Sequence, residues 1–151
     1  HNIEQKVRAV PSGGALFPLE IYVASFRVEG LPPAIYHYNV QEHALENIRD
    51  GLFDTELGPA FFYEEMFKQV SAAIIMTGVL KRSAIKYGER AYRFMLMESG
   101  HVGQNICLSS VALGLGCVML GGFIDYAVNK VLGVDGVNET VIYGAAIGSV
   151  K

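Results

Sequence analysis

The sequence predicts an α+β fold in which a mainly antiparallel sheet is flanked by helices. Three segments near the amino terminus, 19–28, 34–40 and 43–49, are short, rich in β-branched and aromatic residues, and separated by turn residues. This pattern is typical of β-strands joined in a meander. Residues 91–113 instead have apolar side chains at helical spacing, which predicts a long, mostly buried helix. Hairpins that come first and helix–strand units that come later fit an α+β fold better than a doubly wound sheet.

The middle of the chain supplies a helix and a central strand. Residues 30–33, Gly-Leu-Pro-Pro, end the first strand. Residues 53–70 predict a single helix, with Asp54 or Thr55 as its N-cap. Residues 71–78 form a continuous apolar run, which is expected of a strand buried on both faces.

The last third of the chain continues in the same way. Residues 116–122 predict a short strand that ends in a tight turn. Residues 125–132 predict a helix capped by Asp125 and closed by Gly133. Residues 140–147 predict a final buried strand. No repeat or linker divides the 151 residues, so we expect one domain over 1–151.

The amino-acid composition limits the kinds of molecule that this protein is expected to bind. The chain is 51% hydrophobic and 18% charged, which is more apolar than a small monomer needs and indicates a dimer interface or an apolar ligand site. A net charge of −3 without a basic block gives no support for nucleic-acid binding. The most apolar stretch, 111–124, is too short to span a membrane. Cys107 and Cys117 lack metal-ligand spacing and are too few for a disulfide framework. No signal peptide is visible, so we expect a cytoplasmic protein.

Two glycine pairs follow patterns that suit ligand binding. Pro11-Ser12-Gly13-Gly14 runs into a strand, and consecutive glycines let a ligand approach the backbone closely. The order is loop to strand, which excludes the dinucleotide fingerprint. Gly121 and Gly122 similarly expose N–H groups after a strand, and such groups bind ring nitrogens or anions. An ordinary tight turn is the alternative interpretation in both places.

The segment before the long helix holds a second candidate group. Lys86 and Tyr87 end a short helical stretch, and their side chains can act as proton donor and proton acceptor. A surface lysine beside a half-buried tyrosine is the alternative. Arg90 and Arg93 follow, as solvated charges or as partners of Glu89, Glu98 or a phosphate.

The long helix carries polar residues and glycines that an ordinary core helix does not need. Glu98, His101 and Asn105 recur at helical spacing, which predicts a polar network or a site wall. Gly100 and Gly103 each cost about 1 kcal/mol relative to alanine inside a helix. Close packing of another backbone, such as a second subunit's helix, would explain them.

Taken in series, these motifs resemble the SagB-type dehydrogenases of the nitroreductase superfamily. The resemblance rests on the segments 8–22, 35–39, 86–94, 98–105 and 116–123, in the right order over essentially the whole chain. It implies an FMN-dependent oxidoreductase with a nitroreductase-like α+β fold, acting as a homodimer with flavin at the subunit interface. NAD(P)H or a substrate C–H group would donate the hydride, and the narrower activity is oxidation of an azoline ring in a small molecule or peptide.

The resemblance also assigns residues. It implies that the flavin contacts Pro11, Ser12, Gly13, Gly14 and Ala15, that the turn Leu120, Gly121 and Gly122 offers an N–H group to the flavin N5 atom, and that Lys86 and Tyr87 are catalytic. Arg8 is a candidate partner of the flavin phosphate.

The sequence departs from the superfamily pattern before Pro11. The usual Arg-Arg-Ser-type segment and helix, which help hold the phosphate, are not present in the ten residues that precede the loop. We therefore keep an alternative from another class, a non-catalytic or degenerate domain that binds flavin or serves as a dimeric scaffold.

Overall fold

The computed structural model describes residues 8–150, which form one six-stranded sheet with helices packed against it. The strands are β1 (Leu19–Ser25), β2 (Ala34–Asn39), β3 (Ala44–Asp50), β4 (Ala72–Gly78), β5 (Leu115–Leu120) and β6 (Thr140–Ser149). The helices are α1 (Asp54–Ala60), α2 (Glu64–Phe67), α3 (Leu80–Tyr87), α4 (Ala91–Ala112) and α5 (Asp125–Leu132). The predicted α+β fold, with a sheet flanked by helices and one long helix, is confirmed.

The sheet has the strand order β3-β2-β1-β4-β6-β5, and every neighbouring pair is antiparallel. β4 lies near the centre, between β1 and β6. Its adjacent residues Ile75 and Met76 point to opposite faces and are both fully buried. The prediction that residues 71–78 form a strand buried on both faces is therefore confirmed.

The two faces of the sheet are covered by different helices. On one face α1 and α5 build the main core, in which Phe61 stacks on Phe67 with ring centroids 5.6 Å apart and planes 12° apart. On the other face α4 crosses β5 and β6. A Cβ atom on Gly103 would lie 2.7 Å from the Met119 Cε atom, so a larger residue would require the end of the Met119 side chain to shift.

Gly103 thus has a different partner from the one the sequence predicted. Its nearest neighbours are the Met119 and Tyr143 side chains of the chain's own sheet, where the sequence predicted another backbone. Gly100 behaves differently, because a Cβ atom added there would meet nothing within 4 Å. Close packing by the residues described here therefore explains one of the two helix glycines.

The predicted helix over 53–70 is wrong, since this segment forms two short helices, α1 and α2. Phe62, between them, has a φ of 62°, which is the left-handed region and ends an α-helix. The Phe62 and Tyr63 N–H groups bond to the carbonyls of Pro59 and Gly58, which is the hydrogen-bond pattern of a Schellman motif. The apolar periodicity continues through the break because Phe61 and Phe67 both enter the same core.

The predicted N-caps are also wrong. The cap positions belong to Phe53 and Ile124, and neither makes a side-chain capping bond. Asp54 instead forms an ion pair with Arg27, while Asp125 is the first residue of α5. The other end of α5 agrees with the sequence, because Gly133 closes it with a φ of 78°.

The two cysteines lie side by side between α4 and β5. Their Sγ atoms are 3.6 Å apart, and both thiols are free. Burial, followed by the neighbouring Cys107, raises the pKa of the Cys117 thiol above its ordinary value. The thiolate is the reactive form, so a raised pKa leaves little of it at neutral pH.

We therefore expect iodoacetamide to alkylate Cys117 more slowly at pH 7.5 in the folded protein than in the urea-unfolded protein. The rate in the folded protein should keep rising as the pH passes 9. Peptide mass spectrometry of quenched time points measures this directly. Equal rates in the folded and unfolded protein would contradict the expectation.

Candidate functional site

The loop from Ser12 to Phe17 adopts a strained backbone conformation before β1. A short 3-10 turn covers Gly13–Ala15, and positive φ values occur at Gly14 (63°), Ala15 (55°) and Phe17 (45°). Residues other than glycine pay roughly 1–2 kcal/mol for this region. Such conformations persist only where the surroundings impose them. Contacts to other parts of the chain must therefore fix the loop.

Gly14 lies directly against the Lys-Tyr pair. A Cβ atom on Gly14 would lie 2.7 Å from the Tyr87 hydroxyl oxygen and 3.0 Å from the Lys86 Nζ atom. The sequence places these residues more than seventy positions apart, and the fold brings them into contact. The Ser-Gly-Gly loop and the Lys-Tyr pair therefore belong to one local site.

Lys86 and Tyr87 differ in how firmly they are held. Both end α3, and Gly88, with a φ of 55°, turns the chain toward α4. The Tyr87 ring packs edge-on against Phe94, with centroids 4.7 Å apart, and is half-buried. Lys86 is exposed, with its Nζ atom 5.3 Å from the centre of the Tyr87 ring. The tyrosine is thus fixed by packing, while the lysine can move toward a ligand.

A cavity of about 400 Å³ opens beside the same loop, at the start of β1. Its volume is within the range usual for small-molecule sites. Most of its wall is apolar, with Ile21 and Val102 among the lining residues. Arg8, Pro11 and Ser12 line its edge, and the Arg8 guanidinium lies 4.1 Å from the centre of the Phe17 ring. Three of the sequence-predicted binding residues therefore line one cavity.

Glu98 makes a contact with the loop that the sequence did not predict. It lies on α4, is 5% exposed, and its Oε1 atom accepts hydrogen bonds from the Ser12 hydroxyl at 2.9 Å and the Gly13 N–H group at 2.8 Å. His101 and Asn105 are exposed and do not share its surroundings. The three residues therefore do not form the predicted polar network. The alternative prediction, a site wall, agrees with the position of Glu98, which lines the cavity at the start of β1.

The two arginines that follow the Lys-Tyr pair are exposed. Within residues 8–150, neither Arg90 nor Arg93 forms an ion pair with a carboxylate. Glu98, which the sequence offered as a partner, is instead bonded to the loop. The prediction of solvated charges therefore describes this chain better than the prediction of ion pairs with Glu89 or Glu98.

The second glycine pair lies elsewhere in the sheet. Leu120 is fully buried at the end of β5, and Gly121 and Gly122 are exposed directly after it. β5 is separated from β1 by β4 and β6, a distance of roughly 14 Å at the usual strand spacing. Within one chain, the turn at 120–122 therefore does not meet the loop at 12–15.

Other kinds of site receive no support from residues 8–150. The described histidine, cysteine and acidic side chains form no group of three or more that could hold a metal ion. In the same part of the chain, no helix combines the length and apolar character that crossing a membrane requires.

The chain is similar to a known protein family and to several individual proteins. The model of the family described as "Nitroreductase family" matches residues 2–149. The protein MJ1384 of Methanocaldococcus jannaschii, which is named as a nitroreductase, is 35% identical over 129 residues, covering 85% of this chain and 65% of that protein. The trifolitoxin-processing protein TfxB of Rhizobium leguminosarum bv. trifolii is 35% identical over 113 residues, covering 72% of this chain and 30% of that protein.

A solved structure agrees closely in fold. The crystal structure of a nitroreductase-family protein from Anabaena variabilis superimposes with a TM-score of 0.89 at 36% identity, over 93% of this chain and 29% of that chain. The chain thus spans less than two thirds of the length of these relatives. With the family model matching nearly every residue, and with this fold, the chain belongs to the nitroreductase family.

Proposed function

We propose that this protein is an FMN-dependent oxidoreductase related to the SagB-type dehydrogenases. The observation that carries the proposal is the contact of Gly14 with Lys86 and Tyr87, because it joins a small-residue loop to two proton-bearing side chains. Membership of the nitroreductase family supports the oxidoreductase activity. The resemblance of the sequence motifs supports the narrower assignment.

The residues present fit a flavin on physical grounds. Pro11, Gly14 and Ala15 are exposed, so a flat ring can lie on their backbone. Because Gly14 has no side chain, the Tyr87 hydroxyl and the Lys86 ammonium group lie directly against the loop backbone that the ring would contact. Arg8 at the cavity edge and Lys86 beside the loop are cations suited to the phosphate or to a charged ring edge.

A second copy of the chain would bring the two halves of the site together. The loop at 12–15 and the turn at 120–122 are separated by two strands within one chain. In addition, α4 presents exposed apolar side chains that no described residue covers, at Tyr92, Leu96, Met97, Leu108 and Val111. Gly100 offers open space on this helix. A homodimer that buries α4 and holds the flavin between subunits accounts for both observations.

In this proposal, different residues of the chain have different roles in the reaction. Bound FMN supplies the two-electron redox chemistry. Tyr87, packed against Phe94, and the exposed Lys86 hold and move the proton that accompanies the electrons. A backbone N–H group of the turn at 120–122 would donate to the flavin N5 atom. The loop at 11–15 orients the ring system, and the apolar cavity excludes water.

The substrate class is proposed from the relatives. The name of TfxB describes the processing of trifolitoxin. We propose dehydrogenation of an azoline ring in a peptide or small molecule, with NAD(P)H as the alternative electron donor. A non-catalytic dimeric scaffold is the second candidate function, favoured by the exposed apolar side chains along α4.

The visible absorption spectrum after desalting tests the proposal. The purified protein, with and without added FMN, should retain flavin bands near 1:1 stoichiometry and bleach on addition of NAD(P)H. A colourless protein that retains no added FMN would overturn the flavin assignment for this chain and favour the scaffold. Retained flavin without turnover of any donor would favour a flavin-binding domain over an enzyme.

A further inference from the structure

We propose that Glu98 is a positioning residue, which fixes the backbone of the Ser12–Phe17 loop in the conformation that the flavin contacts. The inference deepens the function proposed above and rests on it for the identity of the ligand. The claim about the loop itself stands on the geometry of residues 12–17 and 98. Neither the family match nor the motif resemblance assigns a role to Glu98.

A single oxygen atom of Glu98 makes both contacts. Its Oε1 atom accepts from the Ser12 hydroxyl at 2.9 Å and from the Gly13 N–H group at 2.8 Å. The Ser12 oxygen in turn accepts the Phe17 N–H group at 2.9 Å. These bonds form a chain from α4 through both ends of the strained loop. Burial in low-dielectric surroundings strengthens such hydrogen bonds.

The loop needs such an anchor. Ala15 and Phe17 both occupy the left-handed region without being glycine. Inside the loop, the backbone bond from the Ala15 N–H group to the Ser12 carbonyl, at 3.1 Å, closes the turn. At the far end, Arg82 donates to the Phe17 carbonyl at 3.2 Å. Arg82 is 44% exposed, whereas Glu98 is 5% exposed, so Glu98 is the buried anchor of the loop.

The position of Glu98 explains why this anchor matters for the site. The same loop holds Gly14 against Lys86 and Tyr87. Glu98 also lines the 400 Å³ cavity that Arg8, Pro11 and Ser12 border. Release of the Ser12 and Gly13 contacts would let Gly14 move away from the Lys-Tyr pair. The loss would thus disturb flavin binding without removing any group that touches the flavin.

Three variants of the full chain test the role. Glu98→Gln keeps an Oε1 acceptor for both bonds, Glu98→Ala removes it, and Glu65→Ala is a matched loss of charge at an exposed surface pair with Lys68. The first readout is amide hydrogen exchange of peptides covering 12–17, measured without flavin. The second is the FMN dissociation constant. Peptides covering β4 serve as the reference for global stability.

We expect exchange in 12–17 to become roughly tenfold or more faster in Glu98→Ala, with β4 unchanged and with Glu98→Gln and Glu65→Ala close to wild type. The FMN dissociation constant should rise by a similar factor in Glu98→Ala and be restored in Glu98→Gln. Wild-type exchange in Glu98→Ala, or failure of Glu98→Gln to restore protection, would overturn the proposal.

A fourth variant, Ser12→Ala, tests the same role in case Glu98→Ala does not fold. Ser12→Ala removes the hydroxyl that connects Glu98 to the Phe17 N–H group. It should also accelerate exchange in 12–17, and unchanged exchange would overturn the anchor. If the wild-type protein binds no FMN, the proposed flavin function fails, while the exchange data still decide the role of Glu98.

Discussion

Replacing Tyr87 by phenylalanine should lower kcat by about 10²–10⁴-fold while the protein stays folded and keeps its FMN. This fall in kcat equals the usual contribution of general acid–base catalysis by one side chain. The ring that packs against Phe94 is preserved, so only the hydroxyl beside Gly14 is removed. Lys86→Met should have an effect of similar size, since it keeps the aliphatic stem and removes the charge. Turnover of a synthetic thiazoline peptide, followed as a 2 Da mass loss, measures both.

The matched controls are Tyr63→Phe and Lys68→Met. Tyr63 is 49% exposed beside α2, and Lys68 forms a surface pair with Glu65, so neither belongs to the proposed site. Both variants should turn over at the wild-type rate. Wild-type turnover in Tyr87→Phe and in Lys86→Met would contradict a catalytic role for the pair. Loss of bound FMN in both would assign them to cofactor binding instead.

Phe61→Ala should lower the free energy of unfolding by about 3–5 kcal/mol. Phe61 is fully buried, stacks on Phe67 and meets Phe123 edge-on with centroids 5.6 Å apart. It also packs against Gly144, which has no side chain that could move into the space left behind. Urea unfolding, followed by circular dichroism, gives the change from the shift of the midpoint at an unchanged slope.

The neighbouring residue provides the control. Phe62 is 65% exposed and points away from this core. Phe62→Ala should therefore change the free energy of unfolding by less than about 0.5 kcal/mol. Equal effects of the two substitutions would contradict the assignment of the core to Phe61.

The strands and the long helix could be predicted from sequence because their patterns are local. Alternation and β-branched residues predicted β1, a continuous apolar run predicted β4, and apolar spacing predicted α4. The break at Phe62 could not be predicted, because a phenylalanine in the left-handed region gives no sequence signal. It persists because the flanking residues Phe61 and Phe67 are held in the same core.

The candidate site likewise combines motifs that the sequence predicts with contacts that only the fold shows. The loop, the Lys-Tyr pair and the turn at 120–122 were each predicted by short motifs and their resemblance to a family. That Gly14 lies against Tyr87 is visible only in the fold. The role of Glu98 is harder to predict from the sequence, because its hydrogen-bond partners Ser12 and Gly13 are 86 and 85 positions away in the chain. Hydrogen bonds between residues so far apart produce no periodic pattern in the sequence.

The place of β6 in the sheet has a consequence for the order of folding. β6 comes last among the strands in sequence, yet it lies between β4 and β5, and β5 has no other neighbour in the sheet. β5 is therefore connected to β4 only through residues 140–149. Pairings between distant segments form slowly, because a long loop must close first. During synthesis, the loop at 12–15 can reach its final surroundings before β6 is made, whereas the turn at 120–122 joins the sheet only together with β6.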